Sequence, residues 1–293
     1  HNEELLIARE LQHAVVKRQL ELFFQPRIDA TTLQVCAVEA LLRWRHPTLG
    51  LVSPARFIPV AERHGLIETI GGWALDAALR QAATWRAAGM KLRVAVNVSG
   101  VQFRQDDFAS RLERGLKAHG VPAEALLCEL SQAVAMENTE ATRKAFARLG
   151  KLGVEVSIDD FAAGAAGLAA LSHQPVRELQ IDRATVAALP RSHDARAMVE
   201  SAVQAASELG LRVVAEGIET PAQRDAAVRL GCHQLQGYLV ARPMSARAIV
   251  MWAADAAATL AQTFPSNGFK DTLPMSAQQA AAEFQATRIS LQR

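Results

Sequence analysis

The feature that most constrains this chain is a rhythm of short apolar runs, most of them separated by a helical pattern. The runs are "LELFFQP" (20–26), "VCAVEALLRW" (35–44), "LRVAVNVS" (92–99), "ALLCELS" (125–131), "VEVSID" (154–159), "RELQID" (177–182), "LRVVAEG" (211–217) and "HQLQGYLV" (233–240). Helical spacing of apolar residues fills 66–88, 106–119, 137–152, 195–209, 220–230 and 245–258. Near-continuous apolar runs alternating with helices describe parallel strands covered by helices. About eight such units in some 250 residues is the count of a (β/α)8 barrel. A doubly wound sheet is the main rival, and the lack of a glycine-rich phosphate fingerprint after the first run weighs against it. The first link, "RIDATTLQ" (27–34), is too short for a crossover helix. The expected class is therefore α/β, a modified TIM barrel whose first strand is antiparallel.

The rhythm also sets the expected organisation. Residues 1–20 read as an N-terminal helix and linker, 21–258 as the barrel, and 259–293 as a partly helical tail rich in Ala, Gln and Ser. The start at His1 and Asn2, with no Met, reads as a piece of a longer protein. Half of the 293 residues are apolar, enough for one large core. A net charge of +2 gives no warrant for a DNA or RNA polymer as partner. Cys36, Cys128 and Cys232 match no metal spacing and read as free thiols in a reducing compartment. No run approaches the roughly 18 residues that span a bilayer, so no membrane contact by this segment is expected. The expected location is the cytoplasm, including the cytoplasmic part of a larger membrane-bound protein.

Polar groups cluster near the carboxyl ends of the runs: Glu39 and Arg43, Asn97 and Ser99, Glu129 and Ser131, Asp159 and Asp160, Gln180 and Asp182, Glu216, and Gln236. In a barrel these ends converge on one mouth, where catalytic groups sit. Alternation along a strand puts Glu39 with Arg43 on one face, and Gln180 with Asp182. Any one of these residues alone is more often a helix cap or loop tether than a ligand. The same habit in seven runs is harder to dismiss. Two carboxylates about 5 Å apart repel by roughly 3 kcal/mol at an effective dielectric of 20. Several acids with one arginine therefore ask for a cation, and an all-oxygen donor set suits Mg²⁺ or Mn²⁺ rather than zinc. Two such ions close together form an arrangement that cleaves phosphodiesters.

The stretch "VEALLRWRHPTLGLVSPARFIPVAERHGLIETIGGWAL" resembles the opening signature of EAL domains, with Glu39, Ala40 and Leu41 as the tripeptide. The likeness continues through "VNVS", "CELS", "IDDF", "QID", "VVAEGIET" and "LQGYLVARP". The resemblance implies a modified TIM barrel that dimerises. It also implies hydrolysis of cyclic di-GMP to linear pGpG with two Mg²⁺ or Mn²⁺ ions. It makes Glu39, Asn97, Glu129 and Asp159 ligands of a first metal, with Asp159 shared with a second metal that Asp160 also holds. Arg43 would grip a phosphate beside the backbone of Leu42, and Gln25 would line the groove. Glu216 and Gln236 would hold waters around the metals, Glu219 would buttress the site, and Asp182 would lie beside the second metal or the phosphate. A flanking sensor or GGDEF-type domain is expected by the same resemblance.

Two motif positions depart from the family. Its "KID" lysine, which orients and activates the attacking water, is Gln180 here; its loop-anchoring glutamate is Gln132. The loop after the paired aspartates, usually like "DDFGTGYSSL", reads "DDFAAGAAGL" at 159–168. Losing one preorganised charged group at a reacting centre costs typically 10²–10³-fold in rate. The phosphate contact and the first metal's ligands are untouched. One firmly held ion and a weak or absent second are therefore expected. The first expectation for function is a cyclic di-GMP receptor with impaired hydrolysis. The second is a slow phosphodiesterase, and the third an interaction module that has lost the ligand and works by dimerising.

Overall fold

The computed structural model describes residues 2–161, 168, 171 and 173–263. The first half runs α1 (Asn2–Gln12), β1 (Leu20–Asp29), β2 (Val35–His46), β3 (Gly50–Val52), α2 (Pro54–Arg63), α3 (Ile67–Ala87), β4 (Arg93–Asn97), α4 (Gly100–Phe103) and α5 (Phe108–His119). The middle continues with β5 (Leu126–Ser131), α6 (Gln132–Ala135), α7 (Glu140–Leu152), β6 (Glu155–Asp159), β7 (Val176–Ile181) and α8 (Arg183–Ala188). The last units are α9 (His193–Glu208), β8 (Arg212–Ala215), α10 (Pro221–Arg229), β9 (Gln234–Gln236) and α11 (Ala246–Thr263). Strands β2 and β4 to β9 pair in parallel, and β1 closes the ring by pairing antiparallel with both β2 and β9. The expected barrel with an antiparallel first strand is what forms.

The physical reason is visible at β1–β2. Asp29 Oδ1 accepts from the backbone N–H of Thr31 and Thr32, at 2.9 and 2.7 Å, and turns the chain straight back. A turn this tight leaves no room for a crossover helix, so the second strand must run antiparallel. The link is shorter than the sequence suggested, because β1 continues through Arg27 to Asp29.

Two other differences are local. Within the helix and linker expected over 1–20, the helix stops at Gln12, and Arg18 takes a left-handed φ of 53° as the chain swings into β1 at Leu20. Residues 50–63 hold an edge strand and a helix that the reading left unassigned. β3 adds to β2 outside the ring, and α2 starts with Pro54 at its first position, where a missing N–H costs nothing. The tail expected over 259–293 falls mostly outside the described residues.

Two cores result. The main one lies between the barrel and its helices and contains Phe24, Trp85, Phe103 and Phe146. A smaller one, with Ile7, Leu11, Trp44, Phe57 and Ile70, packs α1, α2 and the start of α3 against the far end of β2. Each fully buried large aliphatic side chain contributes about 1.5–3 kcal/mol. The inside of the barrel is different: Arg27, Glu129, Ser157, Glu178, Gln180 and Gln236 are all at most 3 % exposed. A polar interior of this kind must be fully hydrogen-bonded, and its bonds lead to the mouth.

Candidate functional site

Register delivers the expected residues to one end of the barrel. Gln25 lies opposite Glu39 across β1–β2, Asn97 beside Glu129 across β4–β5, and Ser131 beside Asp159 across β5–β6. Glu39 is the hub of the mouth. Its Oε1 accepts from Asn97 Nδ2 at 2.8 Å and its Oε2 from Gln236 Nε2 at 2.5 Å. Gln25 donates to the Ala241 carbonyl at 3.0 Å and accepts weakly from Gln236 at 3.4 Å, which holds it in the wall. A cavity of about 180 Å³ opens against Glu39, Glu216, Gln25 and Gln236, with Arg183 and Tyr238 also lining it. The wall there requires Gly237, because a Cβ would sit 2.2 Å from the backbone of Ile218, next to the loop bearing Glu216 and Glu219.

Asp159 and Asp160 end β6 in a turn. Asp160 has a left-handed φ of 55°, a conformation that Asp adopts more readily than most non-glycine residues. Its N–H donates to Asp159 Oδ1 at 2.7 Å, and the next N–H, of Phe161, donates to the Gln180 carbonyl at 2.9 Å. Phe161 and Leu168 are both buried. Residues 162–167, the Ala/Gly stretch, lie outside the described residues.

The acids are crowded. Burial, then the neighbouring Glu39, push the Glu129 carboxyl up to about 8. Burial and the adjacent Asp160 push Asp159 up to about 6. Glu216 is raised well above its ordinary range by burial and then by Glu39, Asp159 and Glu129. Among the described residues no three His, Cys, Asp or Glu side chains close to ligating geometry. The donor chemistry nevertheless fits a hard divalent cation: oxygens only, from crowded acids whose raised pKa a cation would bring down.

Other residues sit differently. Asp182 caps α8, accepting from the N–H of Ala184 and Thr185 and, at 2.5 Å, from the Thr185 hydroxyl. Glu219 accepts from Arg183 at 2.5 Å. Arg43 donates to the Leu42 carbonyl at 2.9 Å, and its guanidinium lies 5.8 Å from the Phe23 ring, apart from the acids. Gln132 begins α6, whose cap is Ser131. Gln180, 1 % exposed, donates to Glu129 Oε1 at 2.5 Å and to Ser157 Oγ at 2.7 Å.

The residues that sequence reasoning missed lie beneath the mouth. Arg27, fully buried, donates to Gln236, Glu178 and Glu129 at 3.0, 3.0 and 2.9 Å. Burial alone would weaken its charge, but Glu129 and Glu178 outweigh it and the guanidinium stays firmly cationic. Glu178 also accepts from Arg93 at 2.7 Å and Arg212 at 2.9 Å. Burial would raise its carboxyl, yet Arg27, Arg93 and Arg212 hold it below its ordinary value. The available signal was the spacing of Arg27, two residues after Gln25 and so on the same face of β1.

A family model for the EAL domain matches residues 8–243. The chain belongs to the EAL domain family. This EAL domain is 39% identical over 249 residues to the bifunctional diguanylate cyclase/cyclic di-GMP phosphodiesterase MucR of Pseudomonas aeruginosa, covering 85% of this chain and 36% of that protein. It is 36% identical over 251 residues to the oxygen sensor protein DosP of Escherichia coli, covering 85% of this chain and 31% of that one. The chain thus spans about a third of the length of these multidomain signalling relatives. Among solved structures, the MucR phosphodiesterase in complex with cyclic di-GMP superposes with a TM-score of 0.79 at 38% identity, covering 83% of this chain and 99% of that one. The EAL enzyme Bd1971, bound to cAMP and cyclic di-GMP, superposes with a TM-score of 0.80 at 29% identity, covering 86% and 69%. No helix among the described residues is long and apolar enough to cross a membrane.

Proposed function

We propose that this EAL domain binds cyclic di-GMP at the barrel mouth and hydrolyses it slowly, acting mainly as a receptor whose occupancy is read by neighbouring domains. The observation that carries the reading is Gln180. A neutral amide stands where the family has a lysine, and it is buried and committed to Glu129 and Ser157. It can neither supply positive charge nor give up a proton. The groups for binding remain: Arg43 for a phosphate, Gln25 for the groove wall, and Glu39, Asn97, Glu129 and Asp159 for a metal. Bound Mg²⁺ or Mn²⁺ would supply Lewis-acid polarisation of the phosphate. The chain's own part is to hold the acids apart, through Asn97 and Gln236 on Glu39 and through the Asp160 turn on Asp159.

The second reading, an active phosphodiesterase, is favoured by the retention of all four expected first-metal side chains and by relatives named for that activity. Time courses of pGpG formation in Mg²⁺ and in Mn²⁺, resolved by chromatography, separate the two. The receptor reading expects turnover at least 10²-fold below a lysine-bearing EAL domain measured alongside. Comparable turnover would transfer the conclusion to the phosphodiesterase.

A further inference from the structure

Arg27 joins the residues of the mouth to the floor of the barrel. Its Nε reaches Gln236 Oε1 at 3.0 Å, and Gln236 passes its own amide to Glu39 Oε2 at 2.5 Å. Its Nη2 reaches Glu129 Oε1 at 2.9 Å and lies 3.9 Å from Glu216 Oε1. Its Nη1 is anchored to Glu178, which Arg93 and Arg212 hold from the opposite side. The guanidinium is 0 % exposed, so it cannot reach a ligand itself. Its planar fork holds these neighbours in a fixed geometry, more rigidly than the compact ammonium of a flexible lysine would.

Glu129 Oε1 receives a second donor, the Gln180 amide. Two strands thus deliver donors to one carboxylate oxygen, and the charged one comes from β1. We propose that Arg27 is a positioning residue for the metal-binding face, supplying from β1 the buried positive charge that Gln180 does not supply from β7. The fork orients Glu129 directly and Glu39 through Gln236. It also offsets part of the negative charge that four acids bring together. The role rests on the reading of the mouth as a cation site, but its test does not need the dinucleotide.

The experiment measures Mn²⁺ affinity by paramagnetic resonance in the absence of ligand, with melting temperature as a check on folding. The proteins are the parent, Arg27→Gln, Arg27→Lys, Gln180→Lys, and the double variant Arg27→Gln with Gln180→Lys. Arg27→Gln is expected to bind Mn²⁺ at least tenfold more weakly, and Arg27→Lys to recover part of that loss. The double variant should recover most of it, because the cation returns beside the same oxygen from another strand. A purely structural arginine would not be rescued from β7. If Arg27→Gln does not fold, a folded double variant with Mn²⁺ affinity within about threefold of the parent carries the same conclusion. A folded Arg27→Gln protein with parental affinity, or a folded double variant that binds Mn²⁺ at least tenfold more weakly than the parent, would overturn the role. A parent that binds Mn²⁺ but not cyclic di-GMP would sink the functional reading and leave this one standing.

Discussion

Gln180→Lys should raise cyclic di-GMP hydrolysis tens-fold or more. The amide it replaces lies 2.5 Å from Glu129 Oε1 and 2.7 Å from Ser157 Oγ, so a lysine finds two acceptors in place. At about 3 Å and an effective dielectric of 20, an ammonium attracts an ionised Glu129 by roughly 5–6 kcal/mol. Arg27 touches the same oxygen at 2.9 Å. With the two cations about 4–5 Å apart, their repulsion is roughly 4 kcal/mol on the same scale. The balance is slightly favourable before the lysine is desolvated, and burying an ammonium costs several kcal/mol, so the variant should fold with a melting temperature below the parent's. One preorganised charge at a reacting centre is worth typically 10²–10³ in rate. The gain should fall short of that ceiling because Gln132 and the loop stay unchanged. Gln132→Glu alone should do little, and the double variant should owe most of its gain to residue 180. The assay is steady-state pGpG production in Mg²⁺ and Mn²⁺, with dinucleotide affinity measured in parallel. The rise should appear in kcat with little change in binding. A folded Gln180→Lys protein that binds the dinucleotide yet turns over no faster would refute the reasoning.

Three further outcomes are expected. Arg43→Ala, which removes a charge-assisted phosphate contact, should weaken cyclic di-GMP binding at least tenfold by calorimetry without changing the melting temperature. In chelator, the melting temperature should fall as pH rises from 6 to 8. Glu129, Asp159 and Glu216 are raised in the folded state, so the folded protein holds their protons more tightly than the unfolded chain. That contribution is complete below about pH 4 and is lost as pH passes through 6 towards 8. A loss of about 2 kcal/mol corresponds to roughly 4–8 °C, and saturating Mg²⁺ should remove most of it in a thermal melt. Anomalous scattering from crystals soaked in Mn²⁺ should reveal one well-occupied ion near Glu39 and Asp159, and a weak or absent second near Asp160.

What the sequence disclosed, it disclosed through anomalies. A carboxylate inside an apolar run is costly to bury, so Glu39, Glu129 and Asp159 stood out, and the barrel's register brings them to one mouth. Strand–helix alternation was equally plain because burial on both faces leaves nearly every strand position apolar. Asp182 is ambiguous in sequence: a polar residue at a strand end reads alike whether it serves a ligand or caps a helix, and here its oxygens cap α8. Arg27 was hidden for the opposite reason. Between Pro26 and Asp29 it looks like part of a polar turn, and only the pairing of β1 with β9 turns it inward against Gln236. Glu178 and Ser157 are similar, because their roles depend on partners from other strands, Arg27 on β1 for one and Gln180 on the neighbouring β7 for the other. Short elements such as β3 carry too few residues to show a period.

The claim that binding has outlasted catalysis is tested most directly by one calorimetric titration of cyclic di-GMP into the parent protein, in Mg²⁺ and again in chelator, with the ligand recovered afterwards and separated by chromatography. The account predicts a saturable, Mg²⁺-enhanced binding heat and a ligand recovered almost entirely as the cyclic dinucleotide. No binding heat in either buffer, or a ligand recovered as pGpG within the time of the titration, would contradict it.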